Sequence, residues 1–123
     1  MRKGVELLSE QRGDGPVVRR HAWYRIKLRM WLRRGDPVRW PTPGVPEIVV
    51  EDDGTTLITE VRIDRVSLIP GLFYGIEGMC VGGTRVLRVA PHLAYGSQGQ
   101  ANMMIPENAV LKVELSVLAE RAT

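Results

Sequence analysis

The sequence predicts an α+β domain: a twisted antiparallel sheet of about five strands wrapped on one short helix. Three observations lead there. Most of the chain alternates apolar and polar residues with period two, as half-buried strands do. One short stretch, opening at Pro70, carries the helical period instead. Turn-forming Gly, Pro and Asp clusters separate these runs. At 123 residues the chain is expected to form one domain, 1–123.

Gly4–Ser9 reads as a short strand, and Arg12-Gly13-Asp14-Gly15-Pro16 as a turn. Trp23–Leu32 is the clearest strand. Tyr24, Ile26, Leu28, Met30 and Leu32 alternate with Arg25, Lys27, Arg29, Trp31 and Arg33, so one face is apolar and the other basic. Arg34-Gly35-Asp36-Pro37 turns the chain, and Val38–Trp40 begins the return strand. Pro41-Thr42-Pro43-Gly44-Val45-Pro46 has no regular structure, because three prolines remove donors and fix φ. Ile48–Val50, the turn Glu51-Asp52-Asp53-Gly54 and Thr55–Thr59 predict a hairpin. Glu60–Val66 predicts a further strand.

Pro70 suits the first turn of a helix, where its missing N–H is an orphan donor anyway. Leu72, Ile76 and Met79 follow at i, i+4 and i+7 on one face, and Gly82-Gly83 stops the helix. Gly75 and Gly78 each cost roughly 1 kcal/mol against Ala. Such a helix persists only by docking on something larger. Thr84–Ala90 predicts a strand, with Leu87 and Val89 on one face and Val86 and Arg88 on the other. A long connection rich in small residues contains Tyr95 and ends at Ile105-Pro106. Val110–Leu118 predicts the last strand, and Glu120–Thr123 a short tail. There is no internal repeat.

No apolar run approaches the ~18 residues of a membrane span, so no membrane partner is expected. The first residues, MRKGVELL, are too short in apolar content for a signal peptide. Cys80 stands alone and reads as a buried structural thiol. A cytoplasmic home is expected. Residues 1–39 hold 11 Lys+Arg against 4 Asp+Glu, and residues 40–123 hold 6 against 10. The basic half suits an anionic partner, or a solvated strand face in an arginine-preferring composition. With no aromatic platform or nucleic-acid motif evident, the second reading is favoured and a nucleic-acid partner is not expected. His21, His92 and Cys80 have no metal-ligand spacing, and no nucleophile elbow or phosphate loop is present. No cofactor is expected.

Gly71-Leu72, Gly75-Ile76, Met79, Gly82, Ala94-Tyr95-Gly96, Ile105-Pro106 and Asn108 resemble the second half of an FKBP domain, the FK506-binding peptidyl-prolyl isomerases. Gly13-Asp14-Gly15, the following strand and the turn at Gly35 resemble the first half. The resemblance covers about the whole chain, with an inserted hairpin at about 41–59. It implies an FKBP-like fold and cis–trans isomerisation of X-Pro bonds in proline-containing polypeptides, without a cofactor. Prolyl isomerisation needs no nucleophile. Its barrier of ~18–20 kcal/mol comes from amide resonance, and the planar amide is more charge-separated than the twisted one. An apolar pocket therefore disfavours the planar ground state, while hydrogen bonds fix the flanking carbonyls.

The resemblance assigns Ile69 a backbone N–H at the helix entry, beside Leu68, and Tyr95 a phenol O–H; these are the two catalytic candidates. Ile105 supplies an apolar wall. Other pocket positions depart from the family pattern. Leu28 stands for a tyrosine, Val38 and Arg39 for a phenylalanine and an aspartate, Leu72 for the tryptophan floor and Val113 for a wall phenylalanine. A further phenylalanine falls near Thr59. The expectation is a weak isomerase that binds FK506-type macrolides weakly if at all. The rivals are a catalytically silent protein-binding module and an anionic-ligand pocket using Arg39.

Overall fold

A computed structural model of the chain describes residues 2–41, 48–51 and 53–121. Six strands form one antiparallel sheet: β1 (Val5–Gln11), β2 (Trp23–Leu32), β3 (Val49–Val50), β4 (Leu57–Arg62), β5 (Thr84–Val89) and β6 (Leu111–Glu120). Their order across the sheet is β1-β5-β6-β2-β4-β3. The single α-helix among the described residues, α1 (Pro70–Ile76), lies on one face.

β2 and β6 form the centre, running from Tyr24 opposite Glu120 to Leu32 opposite Leu111. The alternation of β2 decides which face is buried. Tyr24, Ile26, Leu28 and Met30 point inward, as do Leu111, Val113, Leu115 and Val117 of β6 and Leu87 and Val89 of β5. Burying a side chain of this kind stabilises by ~1.5–3 kcal/mol, so a one-residue slip of β2 would be heavily penalised. The opposite face is left to the charged residues and to Trp23 and Trp31.

The helix docks through glycine. A methyl at Gly71 would lie 2.3 Å from Val89 Cγ1, and one at Gly75 would lie 2.5 Å from Leu87 Cδ1. These two residues, four apart, let the helix backbone approach β5 closely, which offsets their poor propensity. The helix ends earlier than the Gly82-Gly83 stop predicts. Its last residue is Ile76, and Gly78 takes φ +83°, a left-handed turn. Met79 still reaches the core beside Leu72 and Ile76, because the chain beyond the turn folds back.

Arg85 is the unforeseen member of the interior. It lies on the inward face of β5, only 8% exposed. Its Nη1 donates to the Gly75 carbonyl at 3.0 Å and the Glu77 carbonyl at 2.6 Å, and its Nε donates to Glu10 Oε2 at 2.7 Å. The guanidinium thereby occupies orphan carbonyls at the helix C-terminus, with its charge compensated by β1.

Two expectations about the middle of the chain change. The sheet has six strands because Val49–Val50 joins its edge, pairing with Ile58 and Leu57. The predicted strands Thr55–Thr59 and Glu60–Val66 are replaced by one, Leu57–Arg62, paired with β2 from Leu28 to Trp23. Leu57–Thr59 thus belong to the main sheet. The predicted irregular stretch Pro41–Pro46 falls, after Pro41, outside the described residues, as does Asp52 of the predicted turn.

Candidate functional site

The helix entry is built by Asp64. Its Oδ1 accepts the N–H groups of Ser67 at 2.7 Å and Val66 at 3.0 Å. The Ser67 amide is the main influence holding the Asp64 carboxyl below its ordinary range. This turn delivers Leu68 into the core and leaves Ile69 extended, at φ −60° and ψ 151°, as the residue before the helix. The Ile69 carbonyl accepts from Leu72 and Phe73. Its N–H has no partner among the described residues, and Pro70 has none to offer.

Tyr95 follows a 3-10 turn, Pro91–Leu93, in the connection between β5 and β6. Backbone bonds brace it on both sides. Ala94 and Gly96 donate to the Pro91 carbonyl, Gly99 donates to the Tyr95 carbonyl, and Asn108 donates to the Gly96 carbonyl. The ring packs against the core, and burial pushes the phenol above its ordinary pKa. The hydroxyl has no hydrogen-bond partner among the described residues, yet it is not sealed off from solvent. Ile69 and Tyr95 therefore offer two donors, both neutral and both vacant, beside one apolar cluster.

Leu28, Val38, Leu68, Leu72, Ile105 and Val113 lie in that same cluster, none more than 5% exposed. Of the nine predicted positions, six belong to the hydrophobic core of the domain, and Ile69 and Tyr95 pack against that core. The smaller side chains are closed over by their neighbours, and a side chain so covered presents almost no surface to a ligand.

Arg39 stands apart. It is exposed, and its Nη1 donates to the Asp53 carbonyl at 3.0 Å across the β3–β4 turn. Beside Val38 and Arg39 opens a hollow of ≈ 390 Å³, walled also by Trp40, Met103 and Met104. Trp40 is held in place by its Nε1, which donates to the Thr55 carbonyl at 3.1 Å. Sequence reasoning passed over these three residues. Trp40 and the two methionines are more than sixty positions apart, and only the closure of the β5–β6 connection, bridged at Gln100 and Ile105, brings them together.

The described residues thus form an α+β domain, one helix docked through glycine on a six-stranded antiparallel sheet. A family model, FKBP-type peptidyl-prolyl cis-trans isomerase, matches residues 50–118, and the chain belongs to that family. FK506-binding protein 2 of Yarrowia lipolytica is 48% identical over 87 residues, 64% of this chain and 57% of that protein. The chloroplastic peptidyl-prolyl cis-trans isomerase FKBP16-4 of Arabidopsis thaliana is 41% identical over 56 residues, 46% of this chain and 24% of that protein. Human peptidyl-prolyl cis-trans isomerase FKBP10 is 39% identical over 75 residues, 54% of this chain and 12% of that protein. The matches therefore span 57% or less of these relatives' own lengths. The N-terminal domain of FKBP42 from Arabidopsis thaliana shares the fold, with a TM-score of 0.71 at 18% identity, over 98% of this chain and 89% of that one.

Proposed function

We propose that this domain is a peptidyl-prolyl cis–trans isomerase acting on X-Pro bonds of polypeptides, without a cofactor, and a slow one. The observation that carries the reading is the pair of vacant donors. The Ile69 N–H and the Tyr95 O–H sit at the edge of one apolar cluster with no internal partner among the described residues. In this reading the two donors take the carbonyls on either side of the substrate's proline. The Tyr95 phenol, raised in pKa by burial, stays protonated at neutral pH and so remains a donor. The slowness follows from the buried walls: Leu28, Leu72 and Val113 are committed to the core, so less of the substrate is stripped of water.

The second reading, a silent FKBP-like module that holds a protein partner, is favoured by that same burial. A protease-coupled assay on a short X-Pro peptide separates the two. Turnover above the uncatalysed rate, lower than that of a full-pocket FKBP and poorly inhibited by FK506, supports the isomerase. Peptide binding without acceleration supports the module. The reading keeps folding polypeptides as substrates and the cytoplasm as compartment, on composition and the single buried thiol, Cys80.

A further inference from the structure

The face of the sheet opposite the helix carries a pattern unrelated to isomerisation. The outward residues of β2 are, in order, Trp23, Arg25, Lys27, Arg29 and Trp31: an indole at each end and three cations between. β2 is not an edge strand. It lies between β6 and β4, so the row runs along the interior of the open face. At strand spacing it covers about 27 Å. Cross-strand neighbours widen the row at one end. Lys112 is directly opposite Trp31, and Arg88 is opposite Lys112. With Arg33 and Arg34 of the following turn, these residues wall a basin of ≈ 890 Å³.

Acidic groups temper this charge without cancelling it. Arg29 pairs with Asp53 at 3.7 Å, Arg88 with Glu6 at 2.9 Å and Arg121 with Glu60 at 3.6 Å. Glu114 lies opposite Arg29, and Asp36 sits on the turn. Arg25, Lys27, Arg33, Arg34 and Lys112 have no ion-pair partner among the described residues. The indoles show their π faces to cations: Lys112 Nζ is 5.6 Å from the Trp31 ring centre, and Arg121 Cζ is 5.1 Å from that of Trp23.

We infer that this face binds single-stranded nucleic acid, its bases stacking on Trp23 and Trp31 and its phosphates lying on the cations between them. An acidic peptide would satisfy the cations but makes no use of two indoles set in line with them. A base has a π face for each ring and brings one phosphate per nucleotide. On stacking, it releases the cation over the ring to a phosphate. A duplex fits poorly, because its major groove admits a helix or a two-stranded ribbon and not the breadth of a six-stranded face. The sequence reading expected no aromatic platform beside the basic half; the register of β2 supplies one. The helix and the vacant donors lie elsewhere, so this inference does not rest on the isomerase reading.

The test is an anisotropy titration of a fluorescent fifteen-nucleotide oligothymidylate with the intact chain. If the five unpaired cations each neutralise a phosphate, a fourfold rise in salt weakens binding about 100-fold, at ~0.7 per phosphate in the log–log slope. Trp31→Ala weakens binding at least about fivefold with the slope unchanged, and Trp31→Phe restores most of it. Arg33→Glu with Arg34→Glu lowers the slope by about 1.4. Melting temperatures confirm that each variant is folded. Absence of binding at low salt overturns the inference. So does equal binding of a duplex of the same length. Equal binding of polyglutamate, with no effect of Trp31→Ala, overturns it in favour of an acidic protein partner.

Discussion

Removing the Tyr95 hydroxyl separates catalysis from stability more cleanly than any other change. In Tyr95→Phe one atom is lost, and that atom has no partner among the described residues to abandon. The fold should be indifferent, with the melting temperature within ~2 °C of the parent. For 123 residues, 1 kcal/mol corresponds to about 4 °C, so this is a change of ~0.5 kcal/mol or less. The isomerase rate should fall by roughly two- to twelvefold, the equivalent of one neutral hydrogen bond of ~0.5–1.5 kcal/mol. Burial raises the phenol above its ordinary value of about 10, so the donor is intact throughout the neutral range. The ratio of parent to variant rate should then be flat between about pH 6 and pH 9. The sign of the linkage is also fixed. The unfolded chain gives up this proton at lower pH than the folded one, so parent stability declines as pH rises past about 10. The variant lacks that part of the decline. The protease-coupled assay and a thermal melt give both numbers. An unchanged rate with a melting temperature lowered by more than ~4 °C (about 1 kcal/mol) would show Tyr95 to be a tether for its own loop, and the donor argument would fail.

Four further outcomes follow from the same contacts. Gly71→Ala should lower the melting temperature although it gains ~1 kcal/mol of helix propensity, because the new methyl meets the stiff Val89 Cγ1 at 2.3 Å. Gly75→Ala, which meets the more mobile end of Leu87, should be milder, and a rise in both would refute glycine-dependent docking. Arg85→Met strips two carbonyls and Glu10 of their donor; with Glu10 partly exposed, a loss of ~3 kcal/mol, about 12 °C in a thermal melt, is expected. Leu72→Trp should lower the melting temperature by ~4–12 °C with no gain in isomerisation, since the site is already filled; a faster enzyme of unchanged stability would reveal space beneath the helix. Asp64 is held below its ordinary pKa chiefly by the Ser67 amide, so its contribution is present at neutral pH and lost as pH falls through the folded value. Hydrogen-exchange protection of the Ser67 amide should decline in acid, and should already be low in Asp64→Ala at pH 7.

What was legible in the sequence is what short-range periodicity controls. Trp23–Leu32 alternates without a break, and its bounds match β2. Pro70 marks the helix start because its constraint is local. The helix end was misplaced because Met79 continues the apolar face, whereas Gly78 had already turned the backbone. The division of 55–66 into two strands failed for a different reason. Thr59 and Glu60 look like a break in the pattern, but pairing with Ile26 and Arg25 carries the strand straight through them. Alternation puts Arg85 on the apolar face of β5, but what tolerates its charge there is evident only when its three acceptors, drawn from β1 and the helix terminus, are assembled. The site divides similarly. The family motif pointed to Ile69 and Tyr95, whose donors are without a partner among the described residues. Whether Leu28, Leu72 and Val113 lined a pocket or filled a core depended on neighbours that no local pattern specifies.

The place of β6 has a consequence for how the chain comes to be made. Five strands precede it in the sequence, yet it lies between β5 and β2. Before it emerges from the ribosome, β1 can pair with β5, and β2 with β4 and β4 with β3, but these two ribbons share no ladder. Each has one flank exposed where β6 will lie. A nascent chain stopped short of Leu111 therefore displays two sticky margins, inviting chaperones, proteases or a neighbouring copy. Completion of the last strand closes both at once. Assembly of the sheet is thus a single late event, coupled to the finishing of translation through this region rather than spread along it.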